Sequence, residues 1–297
     1  MPAPPPLFEN RELAFVGEAA GHDFEIPEAL ASRFLAASNP NGKPNSDVIR
    51  PRSGVADVLR GPRHLWIIDF PPGMEEREAA LYALPFAHIR RRKARAHQRR
   101  SNWWLHRFPR VEMRIALAKR DRFIASRRDA QSRPFAWLPP DTLPDQQLIV
   151  FARDDDWFFG VLHSRFHRIW ALGLGTQLRE KVSGFRYTPT TCFETFPFPW
   201  PPSTPLGKLT RTQDGQRTAI ANAARSLDAL RADWLGDRTE KTRTLTALYN
   251  ARPGWLQRAH DDLDEAVADA YGWPADLPEC EIVTRLLALN RERFATS

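Results

Sequence analysis

Leu148 to Leu172 reads LIVFARDDDWFFGVLHSRFHRIWAL, and these residues decide the fold class. The run Leu148 to Ala152 is apolar at every position, as in a strand buried on both faces. Asp154, Asp155 and Asp156 follow as potential helix caps, and beyond them Phe159, Leu162, Phe166, Ile169 and Trp170 recur at helical spacing. This predicts one mostly buried helix from Trp157 to Leu172. Two further strands are expected just upstream, at Arg122 to Ser126 and Phe135 to Leu138, with Pro139-Pro140-Asp141 as a turn. A small sheet under a buried helix makes the class α+β.

Further toward the amino terminus, Leu65 to Phe70 (LWIIDF) reads as a strand between Gly61-Pro62 and Pro71-Pro72, and Met74 to Leu84 as a helix opened by Glu75 and Glu76. Before residue 60, Pro and polar residues interrupt every apolar run, most densely in Ser38-Asn39-Pro40-Asn41-Gly42-Lys43-Pro44-Asn45-Ser46. Residues 1–60 are therefore expected to wrap over a body that begins later. Toward the carboxyl terminus a Pro-rich stretch, Trp200 to Thr212, marks a boundary, and the pattern beyond it is purely helical. The expected organisation is a wrapping segment (1–60), a small mixed sheet with long helices (61–200) and an all-α bundle (205–297) that packs against a partner surface.

A chain of 297 residues with 42% hydrophobic content, ten Trp and eighteen Phe can bury a sizeable core. Cys192 and Cys280 amount to neither a disulfide framework nor a zinc site. No apolar run reaches the roughly eighteen residues of a membrane span, and the Pro-rich start resembles no export signal. A cytoplasmic protein without a membrane partner is expected.

Charge is unevenly placed. Between Phe86 and Arg133 lie sixteen Lys or Arg against three acids, a local charge of +13 in a chain whose net charge is +7. Positive charge confined to one stretch that also holds Trp103 and Trp104 is the pattern of a polyanion surface, although a solvated charged helix reads the same way. Phe86 to His106 lacks Pro and Gly, so a helix is expected, with Arg91, Arg95 and Arg99 in a row roughly 12 Å long and Arg92 beside it. Adjacent helical residues point about 100° apart, so either one of the tryptophans is exposed or both belong to the core.

No reaction centre is legible. Gly173-Leu174-Gly175 lacks a third glycine and follows a helix, where a dinucleotide loop must follow a strand. His163 and His167 have metal-site spacing, but no acid stands at 164, and structural histidines are the better account. Asp154, Asp155 and Asp156 cannot all face one ion, and capping explains them. No Glu is followed two positions later by Lys, so a common nuclease signature is missing. Neither catalytic nor metal-binding residues are assigned.

Six strings are more specific: Asn39 to Val48 (NPNGKPNSDV), Trp66 to Phe70 (WIIDF), Asn102-Trp103-Trp104, Gln147 to Asp155 (QLIVFARDD), His163 to His167 (HSRFH) and Tyr187 to Pro199 (YTPTTCFETFPFP). In this order they resemble the carboxy-terminal part of the MmeI-like DNA methyltransferases, relatives of the single-chain type II restriction and modification enzymes. The resemblance implies an adenine amino-methyltransferase domain followed by a DNA target recognition domain, here Leu7 to Trp200, and a helical tail after Pro201. The family's Asn-Pro-Pro-Tyr or Phe motif has no counterpart: Ser38-Asn39-Pro40-Asn41-Gly42 has the wrong third and fourth residues, and Asp69-Phe70-Pro71-Pro72 the wrong order. The methyl-donor motif and the nuclease domain of some members are missing too. A truncated chain, inactive alone, is expected, with S-adenosylmethionine bound only in the methyltransferase domain that this sequence lacks.

The resemblance makes double-stranded DNA the expected partner, together with a separately encoded methyltransferase polypeptide. Phosphate contacts fix register and base contacts specify. Arg91, Arg92, Arg95, Arg99 and Arg100 are the expected backbone clamp. Arg179, Lys181 and Arg186, in the polar stretch Gly173 to Tyr187, are the expected base readers, with ordinary solvation as their alternative. Trp103, Arg127, Arg128 and Arg165 are further candidate contacts, and the Tyr187 to Pro199 string is expected to anchor the readout stretch to the core. Two other readings stay open: a protein or RNA interaction module with a basic face, and a complete methyltransferase whose site is not recognised.

Overall fold

Two four-stranded sheets, rather than one, organise the computed structural model, which describes residues 3–61, 63–94, 101–129, 134–177, 185–236 and 243–296. From the amino terminus come β1 (Ala14–Val16), β2 (Glu25–Pro27), α1 (Glu28–Leu35), β3 (Ile49–Ser53), α2 (Val55–Arg60) and β4 (Leu65–Ile68). Then α3 (Glu76–Ala79), α4 (Ala83–Ala94) and α5 (Val111–Leu117) lead into β5 (Phe123–Arg127), β6 (Ala136–Leu138), β7 (Leu143–Pro144) and β8 (Leu148–Phe151). Helices α6 (Asp156–His163) and α7 (Arg165–Leu174) precede the short antiparallel pair β9 (Thr176–Gln177) and β10 (Phe185–Arg186). The chain closes with α8 (Arg211–Gly236), α9 (Leu245–Ala251), α10 (Gly254–Tyr271) and α11 (Glu279–Thr296).

The first sheet has the order β1-β8-β5-β6, antiparallel throughout, with Ile124 opposite Phe151 and Ala125 opposite Val150. Its central strands are buried along nearly their whole length, which is why β8 reads as an unbroken apolar run. The three strands expected between 122 and 152 are those of this sheet. The second sheet, β2-β4-β3-β7, takes LWIIDF as an inner strand; its one parallel contact pairs Arg52 of β3 with Leu143 of β7.

Residues 1–60 differ from a wrapping segment, since they supply β1 to the first sheet and β2 and β3 to the second. The interruptions that hid them are functional in the fold. Asn45, fully buried, donates from Nδ2 to the carbonyls of Phe34 (2.8 Å) and Ala37 (3.0 Å), and Asn39 Oδ1 accepts from the Ala83 amide at 3.2 Å. The first residues do lie over the later body. Leu7 N donates to Glu194 O at 2.7 Å, and Asn10 Nδ2 donates to Phe196 O at 2.7 Å.

Two corrections concern helices. The expected helix 157–172 is broken at Ser164, whose backbone is extended (φ −65°, ψ 156°) and whose hydroxyl caps α7 by accepting from His167 N. Of the expected basic helix 86–106, residues 86–94 lie in α4, residues 101–105 form turns, and residues 95–100 lie outside the described residues. Trp103 and Trp104 are both buried, packed on each other with Trp103 also against Phe86, and Trp104 Nε1 donates to Met74 O at 2.9 Å.

The carboxy-terminal helices share the core of the first sheet. Gly160 of α6 lies so close to α8 that a Cβ there would stand 2.8 Å from Ile220 Cγ2 and 3.1 Å from Ala224 Cβ. Instead of awaiting a partner, the apolar face of α8 is covered by α6 and α10 of the same chain. The Tyr187 to Pro199 string is core: Phe193, Phe196 and Phe198 are fully buried, and Phe198 stacks on Phe158 with centroids 5.0 Å apart.

Candidate nucleic-acid interface

A buried charge cluster joins the two sheets and holds the basic segment in place. Glu18 follows β1, Asp69 follows β4, His106 closes the tryptophan turn and Arg114 lies on α5. Arg114 donates from Nε and Nη2 to Glu18 Oε2 (2.8 and 2.6 Å) and from Nη1 and Nη2 to Asp69 Oδ2 and Oδ1 (2.7 and 2.8 Å). His106 places Nδ1 2.6 Å from Glu18 Oε1 and Nε2 3.0 Å from Ile68 O. Burial pushes the Glu18 carboxyl up, but hydrogen bonds and charge from His106 and Arg114 outweigh it and hold Glu18 below its ordinary value. Among the described residues, Glu18, Asp69 and His106 bring metal-type ligand atoms within 4.8 Å of one another. Arg114 already occupies their inner oxygens, and both His106 nitrogens face protein acceptors, so the group is an ion-pair network rather than a metal cradle.

With His106 and Arg114 fixed, the intervening loop, Arg107 to Arg110, stands on the surface. Arg110 is exposed and close enough to Arg128, at the end of β5, to act on its charge. Burial, then the neighbouring Arg186 and Arg110, drive the Arg128 guanidinium below its ordinary value, with Asp129 offsetting part of the effect. The backbone holds these arginines together: Tyr187 N donates to Arg128 O at 3.0 Å and Arg128 N to Gln147 O at 2.8 Å. Arg186 Nε lies 3.2 Å from Asp129 Oδ1, and Arg127 Nη2 donates to Asp129 O at 2.8 Å. Arg110, Arg128 and Arg186, from separate parts of the sequence, thus stand close enough to act on one another's charge, with Asp129 paired to Arg186, an arrangement that a polyanion relieves.

The other expected contacts are distributed differently. Arg91 is exposed on α4. Arg92 donates from Nη2 to His22 O at 3.3 Å, and Lys93 pairs with Asp23 at 2.7 Å, so this side of α4 also docks on residues 22–24. Arg95, Arg99, Arg100, Arg179 and Lys181 lie outside the described residues. Arg165 is committed internally: its guanidinium donates to Ala275 O at 3.1 Å and to Leu277 O, and its amide donates to Asp264 Oδ1 at 2.7 Å, tying α7 to the carboxy-terminal helices. Trp103 is 9% exposed and belongs to the core of the second sheet while also lining a surface cavity. Arg107, Phe108 and Arg110 were not singled out from sequence, although Arg107-Phe108-Pro109-Arg110 within the basic stretch carried the signal.

The histidine pair is structural. His163 Nε2 accepts from Arg231 Nη1 (3.0 Å) and Phe135 N (3.2 Å) while Nδ1 donates to Phe159 O at 3.1 Å, leaving no lone pair for an ion. Burial and then Arg231 hold His163 well below its ordinary value, so it is neutral. His167 Nδ1 lies 2.9 Å from Leu162 O, and its Nε2 2.9 Å from Tyr187 Oη. Asp155 caps α6 through Phe158 N, and Asp156 pairs with Arg122 at 2.6 Å.

An α+β chain of two small sheets with an arginine-rich edge at the ends of β5 and β10 is the class of protein that fold and surface define. Residues 31–200 match the family model of the MmeI target recognition domain, and the chain belongs to that family. The fold is similar to the solved structure of the Type IIL restriction-modification enzyme MmeI in complex with DNA: TM-score 0.67 at 17% identity, covering 95% of this chain and 36% of that one. The chain therefore spans about a third of the length of the enzyme it resembles. Among curated protein sequences none matches it.

Proposed function

We propose that this chain recognises double-stranded DNA sequence-specifically, as the specificity part of an adenine DNA methyltransferase in a restriction-modification system, acting in the cytoplasm where the DNA is. The observation that carries the reading is the match of residues 31–200 to a target recognition domain. The arginine cluster supports it, because Arg110, Arg128 and Arg186 crowd together with little acid to balance them. In this reading Arg128 and Arg110 hold phosphates, and Arg186, at the edge of the stretch assigned to base readout, reaches a base edge. Methyl transfer belongs to a methyltransferase domain outside this sequence, which also holds S-adenosylmethionine.

Selection tests the proposal directly. The full chain is used to enrich duplexes from a random-sequence pool, and binding of the enriched duplex is titrated against salt. Expected are a recurring sequence and a linear fall of log affinity with log salt, about 0.9 per neutralised phosphate. An unenriched pool, or affinity indifferent to salt, sinks the reading. Calorimetry with S-adenosylmethionine is expected to show no binding to this chain alone.

A further inference from the structure

A cavity of about 430 Å³ opens between residues 19–21, the end of α4 and the loop that leads into α5. Its volume falls within the roughly 300–1,000 Å³ of small-molecule sites. Three aromatic rings line it, from Phe24, Trp103 and Phe108, and two exposed side-chain amides, from Asn102 and Gln146. Its cations are Lys93, whose Nζ lies 5.2 Å from the Phe24 centroid, and Arg107, whose guanidinium lies 4.9 Å from the Phe108 centroid. None of the lining residues is an acid.

This combination has a specific chemistry. Aromatic faces stack any base, side-chain amides pair donor and acceptor with a base edge, and flanking cations meet the phosphate. The walls are also held in advance. His106, beside Arg107, is fixed by the Glu18 carboxylate and Ile68 O, and Gln146 N donates to the main-chain carbonyl of Glu18 at 3.1 Å, so both sides of the cavity hang from one buried residue. Phe108, 52% exposed, sits between Arg107 and Arg110, the second of which belongs to the arginine cluster. On the next turn Val111 and Ile115 are also exposed, opposite the buried Met113 and Leu117. An apolar rim beside a basic edge suits DNA opened at one step.

We propose that this cavity receives one unstacked nucleotide of the bound DNA, with its base against Phe108 and Trp103, its edge read by Asn102 and Gln146, and its phosphate beside Arg107. The inference rests on the DNA reading above.

The test uses the full chain, with the double variant Phe108→Ala/Asn102→Ala, and fluorescence titrations with the four deoxynucleoside monophosphates, a fully paired duplex and the same duplex with one bulged nucleotide. Both altered side chains are exposed, and an unchanged near-ultraviolet circular dichroism spectrum verifies the fold. Expected are saturable quenching of tryptophan emission by the monophosphates and a preference of about tenfold for the bulged duplex, the order of one base stack. The variant loses both and keeps the salt-dependent binding of the paired duplex. Wild-type protein that binds paired duplex with the expected salt dependence but shows neither signal overturns the cavity proposal and leaves the DNA reading standing. Monophosphate binding without any duplex binding overturns both, because the nucleotide is then not one of DNA.

Discussion

Arg114 of α5 forks onto Glu18, with Nη2 2.6 Å and Nε 2.8 Å from the same carboxylate oxygen, and through this contact the two sheets are joined. The residues come from opposite sides of the junction. Glu18 is fully buried after a strand of the first sheet, and Arg114 carries the same guanidinium to Asp69 at the end of an inner strand of the second. Two carboxylates removed from water need such partners, since their solvation is lost on folding.

Truncating this partner strips the shared guanidinium from both carboxylates, leaving Glu18 with His106 and Asp69 with Arg50. Arg114→Ala is expected to destabilise the chain by about 3–5 kcal/mol, the usual consequence of breaking a buried pair from one side. Urea denaturation checks it. Arg114→Lys recovers little, because an ammonium cannot fork onto two carboxylates.

Glu18 should also make stability depend on acid. Its carboxyl lies below the ordinary value of 4.5, so its contribution is complete above that value and fades as pH falls through the depressed one. Glu18→Gln abolishes this dependence: the stability difference between wild type and variant is expected to be largest near neutral pH and to shrink below about pH 4.5. A constant difference from pH 7 to pH 3 would refute the assignment.

At the basic edge, charge removal should be read in salt slopes. Arg110→Ala and Arg128→Ala are each expected to lower the slope of log affinity against log salt by about 1, roughly uniformly across sequences. If Arg186 reads a base, Arg186→Ala relaxes preference at one position, at about 1–3 kcal/mol. Equal loss across all sequences for all three would make Arg186 another phosphate contact.

Helix packing supplies a check independent of DNA. Gly160→Ala places a methyl 2.8 Å from Ile220 Cγ2, and overpacking of this kind costs about 1–3 kcal/mol. Thermal unfolding should show the loss, and in the double variant with Ile220→Ala, which removes Cγ2, the two changes should cost less than their sum, because the new methyl then enters vacated space.

Legibility in the sequence followed the range of the interactions. The inner strands of the first sheet and the amphipathic carboxy-terminal helices were readable because each carries a local period set by its own backbone. Strands β1, β2 and β3 were not, since each is three to five residues long and set among Pro and Asn, of which Asn10 and Asn39 bond to residues far along the chain. Ser164 was a cap that a continuous apolar period concealed, and the paired tryptophans, expected on a helix, lie in a turn with both rings buried.

Sequence alone determined the α+β class, the buried helices after β8 and the family, whose ordered strings lie along the recognition domain, and it located the positive charge. Tertiary structure decided which of that charge is available. Arg165 and Arg114 are spent on internal acceptors, while Arg110, Arg128 and Arg186, remote from one another in the chain, share one edge because Tyr187 N bonds to Arg128 O and Arg114 pins α5. Hydrophobic periodicity is a local property, whereas the pairing of a charge depends on which other residues the fold brings to it.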